Sequence, residues 1–174
     1  MSRNSFRTFA ENEQAMQMRV LDIIHETAAD GPGLRTAVYA AGCGHSCPGC
    51  HNPQSWDFGG GCRMDVGEVL DEILSDECCD VSFSGGDPLY PVEAFTELAR
   101  EVKERSGKGI WCWTGFTLEQ VLSSRRLSMI LPYIDALVEG PFVRERRDLS
   151  LRFRGSSNQR IVLLKDGRPS GIFN

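Results

Sequence analysis

Residues 81–113, VSFSGGDPLYPVEAFTELAREVKERSGKGIWCW, contain the pattern that predicts the fold of this chain. A short apolar run at 81–83 ends in a turn with two adjacent glycines, and a second apolar run follows at 110–113. Between the two runs, apolar residues recur at helical spacing over residues 91–105. A strand, a helix and a second strand in this order are typical of a βαβ unit with parallel strands.

The rest of the chain continues this alternation of strands and helices. Further apolar runs predict strands at residues 18–25, 35–41, 136–138 and 159–164. Asp65 with Glu68, and Thr117 with Gln120, have the spacing of capping boxes and predict the starts of two more helices. Because the predicted strands are almost continuously apolar, the sequence predicts an α/β fold with a parallel sheet.

Length and composition predict one globular domain. The chain has 174 residues, of which 41% are hydrophobic and 25% charged, a balance typical of a folded domain. We expect residues 1–17 to form a polar, poorly ordered leader and residues 18–174 to form the domain. No apolar run approaches the roughly 20 residues of a membrane helix, and the leader lacks the apolar segment of a secretory signal. We therefore expect a cytoplasmic protein without a membrane partner.

Charge is unevenly distributed along the chain. The net charge is −5, but residues 141–174 contain eight Lys or Arg against three Asp or Glu. This basic segment has few aromatic residues between its charges, and the protein as a whole is acidic. The pattern therefore favours anionic ligand groups or an acidic partner surface, and we expect no nucleic-acid partner.

A cysteine-rich loop follows the predicted strand at 35–41. Cys43, Cys47 and Cys50 form a C-x3-C-x2-C pattern, and three thiolates in one loop can bind three irons of a cubane cluster. The fourth iron would then stay open to a substrate. A zinc site completed by His45 or His51 is the alternative, which the large α/β core makes less favoured. Of the other cysteines, Cys62 is expected in a glycine-rich loop and Cys112 inside a strand, while Cys78 and Cys79 follow a helix.

The glycine-rich turn at 84–88 is the second candidate site. Without a Cβ, Gly85 and Gly86 allow a ligand to approach the backbone closely. A valine at position 86 is therefore expected to weaken ligand binding while leaving the metal content unchanged. Ligands of parallel α/β sheets gather at the carboxyl ends of the strands, where the cysteine loop, this turn and residues 114–115 and 139–141 are all expected.

Together these motifs resemble the radical S-adenosylmethionine superfamily, and within it the activating enzymes of glycyl-radical enzymes. The resemblance covers residues 18–164 and rests on seven short segments: DGPGLR (30–35), GCGHSCPGCHN (42–52), Trp56, SGGDP (84–88), WCWTG (111–115), EGPF (139–142) and RGSSNQ (154–159). The last four, the short chain and the glycine before the third cysteine are similar to the members that activate anaerobic ribonucleoside-triphosphate reductases.

The resemblance implies a 4Fe-4S cluster on Cys43, Cys47 and Cys50 and S-adenosylmethionine on its open iron. It implies that the methionine amino group pairs with the backbone of Gly85 and Gly86. The backbone of Gly49, Cys50 and His51 would border the adenosyl group. Reductive cleavage of the cofactor would give a 5′-deoxyadenosyl radical, which takes a Cα hydrogen from a glycine. No catalytic residue beyond the cluster and the cofactor is expected.

The resemblance also implies the partners. The glycine would belong to the large subunit of an anaerobic ribonucleoside-triphosphate reductase, and a low-potential donor such as reduced flavodoxin would supply the electron. Asp30, Gly31, Pro32, Gly33 and Arg35 would meet the glycine loop, although these residues are equally consistent with a simple connecting turn. The implied fold is a shortened, open, partial TIM-like barrel with parallel strands, whose missing wall admits a protein substrate. The alternatives are an activase of a different glycyl-radical enzyme, a radical enzyme acting on a small molecule, or a non-enzymatic zinc-binding module.

Overall fold

In the computed structural model, which describes residues 15–173, the strands form one open, mixed sheet. Eight strands lie in the order β3-β1-β2-β4-β5-β6-β7-β8. Their bounds are β1 (Gln17–Thr27), β2 (Arg35–Ala40), β3 (Cys62–Asp65), β4 (Asp80–Gly85), β5 (Ile110–Trp113), β6 (Ala136–Glu139), β7 (Arg160–Lys165) and β8 (Arg168–Ile172). The strands predicted from apolar runs are therefore present, and two short edge strands, β3 and β8, were not predicted.

Only the centre of the sheet is parallel. Strands β2, β4, β5 and β6 pair in parallel, whereas β1, β3, β7 and β8 add antiparallel pairs on the two sides. The sequence predicted a fully parallel sheet. Two short connections explain why the pairs β1-β2 and β7-β8 are antiparallel instead. A parallel crossover needs a dozen or more residues, but residues 28–34 link β1 to β2. Strands β7 and β8 are joined by Asp166 and Gly167, both with positive φ, as a tight hairpin requires.

The helices begin and end where the sequence signals predict. They are α1 (Val66–Ser75), α2 (Val92–Ser106) and α3 (Leu118–Ser123), with 3-10 segments at Pro53–Trp56, Leu127–Tyr133 and Arg144–Arg146. The Asp65 N–H donates to the Glu68 carboxylate (2.8 Å), and the Thr117 N–H donates to the Gln120 side chain (2.8 Å). Gly107 ends α2 in the left-handed conformation, with φ +68°. None of the helices within residues 15–173 is long and apolar enough to span a membrane.

The two faces of the sheet are covered differently. Helices α1 and α2 pack on one face, around side chains such as Phe83 and Cys112. The opposite face bears a smaller cluster built on Trp111, with Trp113 and Phe153 against it. This helix-free face carries the cavities described below.

The boundary of the predicted leader differs slightly from the structure. Strand β1 begins at Gln17, which pairs with Asp65 of β3, so that the last residue of the predicted leader belongs to the sheet. Residues 1–14 and Asn174 lie outside the described residues. Cys62, which was expected in a loop, begins β3 because it pairs with Val20.

Candidate functional site

The cysteine loop leaves the carboxyl end of β2 and is fixed to the 3-10 segment that follows it. The Gly42 N–H donates to the Ser55 carbonyl (2.8 Å), and the Cys43 N–H donates to the Trp56 carbonyl (3.2 Å). Within the loop, the Cys50 N–H donates to the Cys47 carbonyl (3.1 Å). All three thiols are half-buried. The backbone therefore holds the predicted ligands in one compact loop at the predicted edge of the sheet.

The surroundings of the thiols suit metal ligation. Burial raises the pKa of Cys43 to about 11, and the nearby carboxylate of Asp87 acts in the same direction. A bound metal would displace that proton and supply the positive charge that the thiolate lacks here. The Asn52 N–H points at the Cys50 sulfur (3.4 Å), a contact that stabilises a thiolate. Within residues 15–173, no three His, Cys, Asp or Glu side chains converge on the position of a single metal ion.

Asp87 joins the cysteine loop to two strand ends. Its side chain is 1% exposed. One carboxylate oxygen accepts the Thr114 hydroxyl and the Gly115 N–H, both at 2.9 Å, and lies 2.7 Å from His45 Nε2. The other oxygen accepts the Leu89 N–H (2.9 Å). These contacts engage both oxygens of the buried carboxylate, which ties the loop to the ends of β4 and β5.

The His45 ring is packed between aromatic side chains. Its ring packs edge-on against Tyr90 and Phe116, with centroids 5.5 and 4.6 Å apart. Sequence reasoning assigned no role to Asp87 and considered His45 only as a zinc ligand. The available signals were the place of Asp87 directly after two glycines and of His45 between two cysteines.

Packing against neighbouring backbone atoms leaves no room for a side chain at Gly85 or Gly86. A Cβ at Gly85 (φ +101°) would lie 2.5 Å from the backbone nitrogen of Ala40, and one at Gly86 would overlap the Gly42 carbonyl oxygen. The Gly86 N–H also donates to the Ala40 carbonyl (2.7 Å). A side chain at position 86 would therefore displace the residue next to Cys43. From this contact we expect a valine there to lower the metal content, in contrast to the expectation drawn from the sequence alone.

Two adjoining cavities lie on the helix-free face beside the cysteine loop. One has a volume of about 330 Å³ and is lined by residues that include Trp113 and Arg154. The other, of about 630 Å³, reaches Gly85. Asp30, His51 and Ser84 line both. The cavities thus bring together His51, Gly85 and Asp30, three of the residues that the resemblance assigned to cofactor or partner binding.

The other predicted cofactor residues lie beside these cavities. Cys50 directly precedes His51 in the loop, and Gly86 follows Gly85. Gly49 has a positive φ of 78° and lies under the side chain of Arg144, whose Cδ would be 3.2 Å from a Cβ at this position. Gly49 therefore faces the loop that follows β6.

Arg154 supplies positive charge to the smaller cavity. Its Nη1 donates to the Gln159 carbonyl (3.0 Å), whereas its Nε is buried with no hydrogen-bond partner among the described residues. A buried donor without a partner is costly, and a carboxylate in the cavity would satisfy it. The donor set therefore fits a ligand that carries a carboxylate. Sequence reasoning included Arg154 in a motif but gave it no role.

Arg35 does not lie in the cavities. It is 1% exposed, and its guanidinium donates to the Ser82 hydroxyl (2.6 Å) and to the Val81 and Pro32 carbonyls (2.6 and 3.1 Å). Burial lowers the pKa of Arg35, which Asp80 partly opposes. Because its donors are used inside the protein, Arg35 fits the alternative of a connecting turn better than a contact with an incoming chain. The partner role of Arg35 stays a prediction.

The other residues of the 30–35 segment have mixed roles. Gly31 lies against Arg35, whose Cδ would be only 2.8 Å from a Cβ there, and Pro32 bonds the same side chain. Gly33 is exposed, with no atom within 4 Å of a Cβ position. Asp30 accepts the Tyr39 hydroxyl (2.6 Å) beside the cavities. Asp30 and Gly33 thus remain open to a partner.

The four remaining cysteines are distributed over other parts of the structure. Cys62 is exposed at the sheet edge, and Cys78 is exposed after α1. Cys79 is buried, which together with a hydrogen bond to Asp76 raises its pKa to about 11. Cys112 is fully buried in β5, as predicted.

Comparison with known proteins identifies the class to which this fold and loop belong. Residues 29–162 match the family described as "4Fe-4S single cluster domain", a span that contains the cysteine loop, the strand-end turns and the lining of the smaller cavity. The match covers most of the chain, which is therefore a member of this class of iron–sulfur proteins, and it disfavours the zinc alternative.

Individual relatives identify a more specific family within this class. The chain is 40% identical over 141 residues to the anaerobic ribonucleoside-triphosphate reductase-activating protein of Vibrio cholerae, covering 76% of this chain and 89% of the relative. The protein of that name from Haemophilus influenzae is 37% identical over 158 residues, covering 85% and 99%. The one from Enterobacteria phage T4 is 34% identical over 144 residues, covering 79% and 89%. The chain belongs to the family of anaerobic ribonucleoside-triphosphate reductase-activating proteins.

Proposed function

We propose that this protein is a radical S-adenosylmethionine activase that generates a glycyl radical on the large subunit of an anaerobic ribonucleoside-triphosphate reductase. The observation that carries the proposal is the meeting of the cysteine loop and the cavities at His51, at the carboxyl ends of parallel strands. Membership in the family of reductase-activating proteins supports the same conclusion.

Cys43, Cys47 and Cys50 would hold the 4Fe-4S cluster and leave one iron for S-adenosylmethionine. When bound, the reduced cluster and this cofactor would supply the radical chemistry that removes a hydrogen atom from the partner's glycine. Asp87 and His45 keep the cysteine loop against the ends of β4 and β5. The reacting groups are thereby held in one geometry before the partner arrives.

The cavity residues would bind and orient the cofactor. Gly85 lines the larger cavity, where the backbone of Gly85 and Gly86 would pair with the methionine amino group. The unpartnered Nε of Arg154 would donate to the methionine carboxylate. His51 lies on both cavities and would border the adenosyl group. Aromatic side chains such as Trp113 line the smaller cavity and would limit the access of water to the bound cofactor.

The open sheet supports a protein substrate. Strands β3 and β8 form the two ends of the sheet, which does not close into a barrel within residues 15–173. We propose that the fold is a shortened, partial TIM-like barrel, and that its open side admits the glycine loop of the reductase near Asp30. A low-potential protein such as reduced flavodoxin would reduce the cluster. We also propose that the protein acts in the cytoplasm and has no nucleic-acid or membrane partner.

An anaerobic assay with the partner tests the proposal. The reconstituted protein is incubated with S-adenosylmethionine, a chemical reductant and the large reductase subunit. Electron paramagnetic resonance should then detect a glycyl radical on the reductase, with release of 5′-deoxyadenosine. Omitting the cofactor is the control. Cofactor cleavage without any radical on the reductase would contradict the proposed partner, and the same assay with another glycyl-radical enzyme would then test the alternative activase.

A further inference from the structure

The loop after β6 carries a dense group of arginines, and we call residues 143–157 the arginine loop. It contains Arg144, Arg146, Arg147 and Arg152 on exposed positions, as well as Arg154 at the cavity. None of the four exposed arginines forms a salt bridge with another residue of the range 15–173. These four guanidinium groups, of which Arg152 lies over the Phe153 ring (5.0 Å), outnumber Glu145 and Asp148 of the same loop. The loop is therefore a locally positive surface on an acidic protein.

The backbone of the arginine loop is fixed although its side chains are exposed. The Ser157 N–H donates to the Arg146 carbonyl (2.9 Å), and the Asp148 N–H donates to the Gly155 carbonyl (3.3 Å). The Gln159 side chain accepts the Gly155 N–H (2.8 Å). The Asn158 side chain donates to the Pro141 carbonyl (2.8 Å). The RGSSNQ motif thus holds the loop in one conformation, which lowers the entropy cost of binding a partner.

Leu149 lies at the tip of this loop and is 86% exposed, more than any other large hydrophobic side chain among the described residues. A single exposed leucine is ordinary on a protein surface. Here it stands on an ordered loop between arginines, and arginine is enriched at the energetic centres of protein interfaces. The combination is typical of an interface that is covered by a partner.

The arginine loop borders the place where the reaction occurs. Gly155 and Arg154 line the same cavity as His51 and Asp30. At its other end, Arg144 lies over Gly49 of the cysteine loop. A partner that delivers a glycine into this cavity would therefore lie next to the arginine loop.

We propose that the arginine loop is the docking surface for the reductase, with the exposed arginines pairing with acidic side chains and Leu149 entering an apolar depression. This inference rests on the proposed function and locates its partner. Charge complementarity would steer and orient the encounter, and the glycine loop would then enter the cavity beside the docked surface. The arginine loop thereby takes the role that sequence analysis assigned to Arg35.

Paired substitutions in the reconstituted holoprotein test this docking. Arg146→Glu with Leu149→Ser should raise the Kd for the large reductase subunit at least about tenfold and lower glycyl-radical yield at subsaturating reductase. Partner-free cleavage of S-adenosylmethionine with a chemical reductant should stay within about twofold of wild type. Arg146 lines none of the cavities, and Leu149, which borders a cavity with Gly49 and His51, is 86% exposed and forms no hydrogen bond with the cysteine loop. The wild-type Kd should also rise with salt more steeply than the variant's.

Leu122→Ser with Arg125→Glu is the matched control, since both residues are exposed at or after the end of α3. It should leave the Kd unchanged. An unchanged Kd in the arginine-loop variant would overturn the inference. A loss of radical formation that occurs only with a protein electron donor, and not with a chemical reductant, would also overturn it and assign the loop to the donor. If wild-type protein forms no radical on the reductase, the proposed function itself fails.

Discussion

Two loops form walls of the same cavity, residues 28–34 and the arginine loop, and they use arginine in opposite ways. The first packs over Arg35, which is 1% exposed and donates to Ser82, Val81 and Pro32. The second presents four of its five arginines to solvent on a backbone fixed by hydrogen bonds, whereas Arg154 lies at the cavity. Both have the glycines and charges of a binding loop, so that residue types alone do not separate a structural arginine from one that is free to bind.

The difference follows from what lies beneath each loop. Residues 28–34 fold across the sheet, where Arg35 stacks at 5.7 Å over the Trp111 ring and satisfies backbone carbonyls that water cannot reach. The arginine loop projects from the sheet beyond β6, so its guanidinium groups keep their hydration until a partner replaces it. Substitutions that affect stability in one loop and binding in the other should make the difference measurable.

The largest expected effect comes from the cysteine loop, which both loops adjoin. Cys43→Ala, Cys47→Ala or Cys50→Ala should each reduce cofactor cleavage to background, because one lost thiolate leaves an incomplete ligand set. Iron content and release of 5′-deoxyadenosine measure the effect.

Cys62→Ala and Cys78→Ala are the controls for the cysteine loop, since both thiols are exposed elsewhere. They should retain the cluster and the activity. Full cleavage with normal iron in any variant of Cys43, Cys47 or Cys50 would show that the cluster is held differently.

Gly86→Val should also lower iron content after reconstitution, because its side chain would overlap the Gly42 carbonyl beside Cys43. Gly67→Val is the control, since no atom lies within 4 Å of a Cβ at that position. Iron and sulfide analysis distinguishes the two variants. Normal iron combined with weak cofactor binding in Gly86→Val would instead mean that this glycine serves only the cofactor.

Arg35→Ala should lower the free energy of unfolding by about 3 kcal/mol, because it leaves buried acceptors without a donor. Urea denaturation of the variant under anaerobic conditions measures this loss. Arg125→Ala, at an exposed arginine, should change stability by less than about 0.5 kcal/mol. A stable Arg35→Ala protein that fails only with the reductase would restore the partner role predicted from the sequence.

Arg154→Ala should weaken S-adenosylmethionine binding about tenfold without a comparable loss of stability, since one charged hydrogen bond to the carboxylate is removed. Calorimetry on the reconstituted protein gives the Kd, and Arg154→Lys should recover part of the affinity. Arg154→Ala should thus lower cofactor affinity, whereas Arg35→Ala should lower stability. Comparing the two variants distinguishes a ligand-binding arginine from a structural one. Equal affinity in wild type and Arg154→Ala would exclude a carboxylate contact.

The smallest expected effect concerns the hydrogen bond from the Tyr39 hydroxyl to the Asp30 carboxylate. Burial, reinforced by Asp30, raises the pKa of Tyr39 well above its usual value, so the hydroxyl stays a donor across the physiological range. Tyr39→Phe should therefore cost about 1 kcal/mol of stability. Tyr133→Phe is the control, because this hydroxyl has no hydrogen-bond partner among the described residues. Equal unfolding free energies for both variants would mean that the Asp30 contact contributes nothing.

The sequence by itself determined most of the regular structure and the location of the site. The apolar runs predicted six strands, and the capping boxes at Asp65 and Thr117 predicted two helix starts, because these signals depend on neighbours along the chain. The cysteine spacing, together with the family resemblance, predicted the iron–sulfur loop that the comparisons support.

Only the tertiary structure decided which polar residues are engaged inside the protein and which are free. Burial of Arg35, convergence of four donors on Asp87 and the unpartnered Nε of Arg154 each depend on residues far apart in sequence. The antiparallel edge strands β3 and β8 were also missed, because short, exposed strands lack a clear apolar pattern. Hydrogen bonding and burial are set by long-range contacts, and local residue types do not encode these contacts.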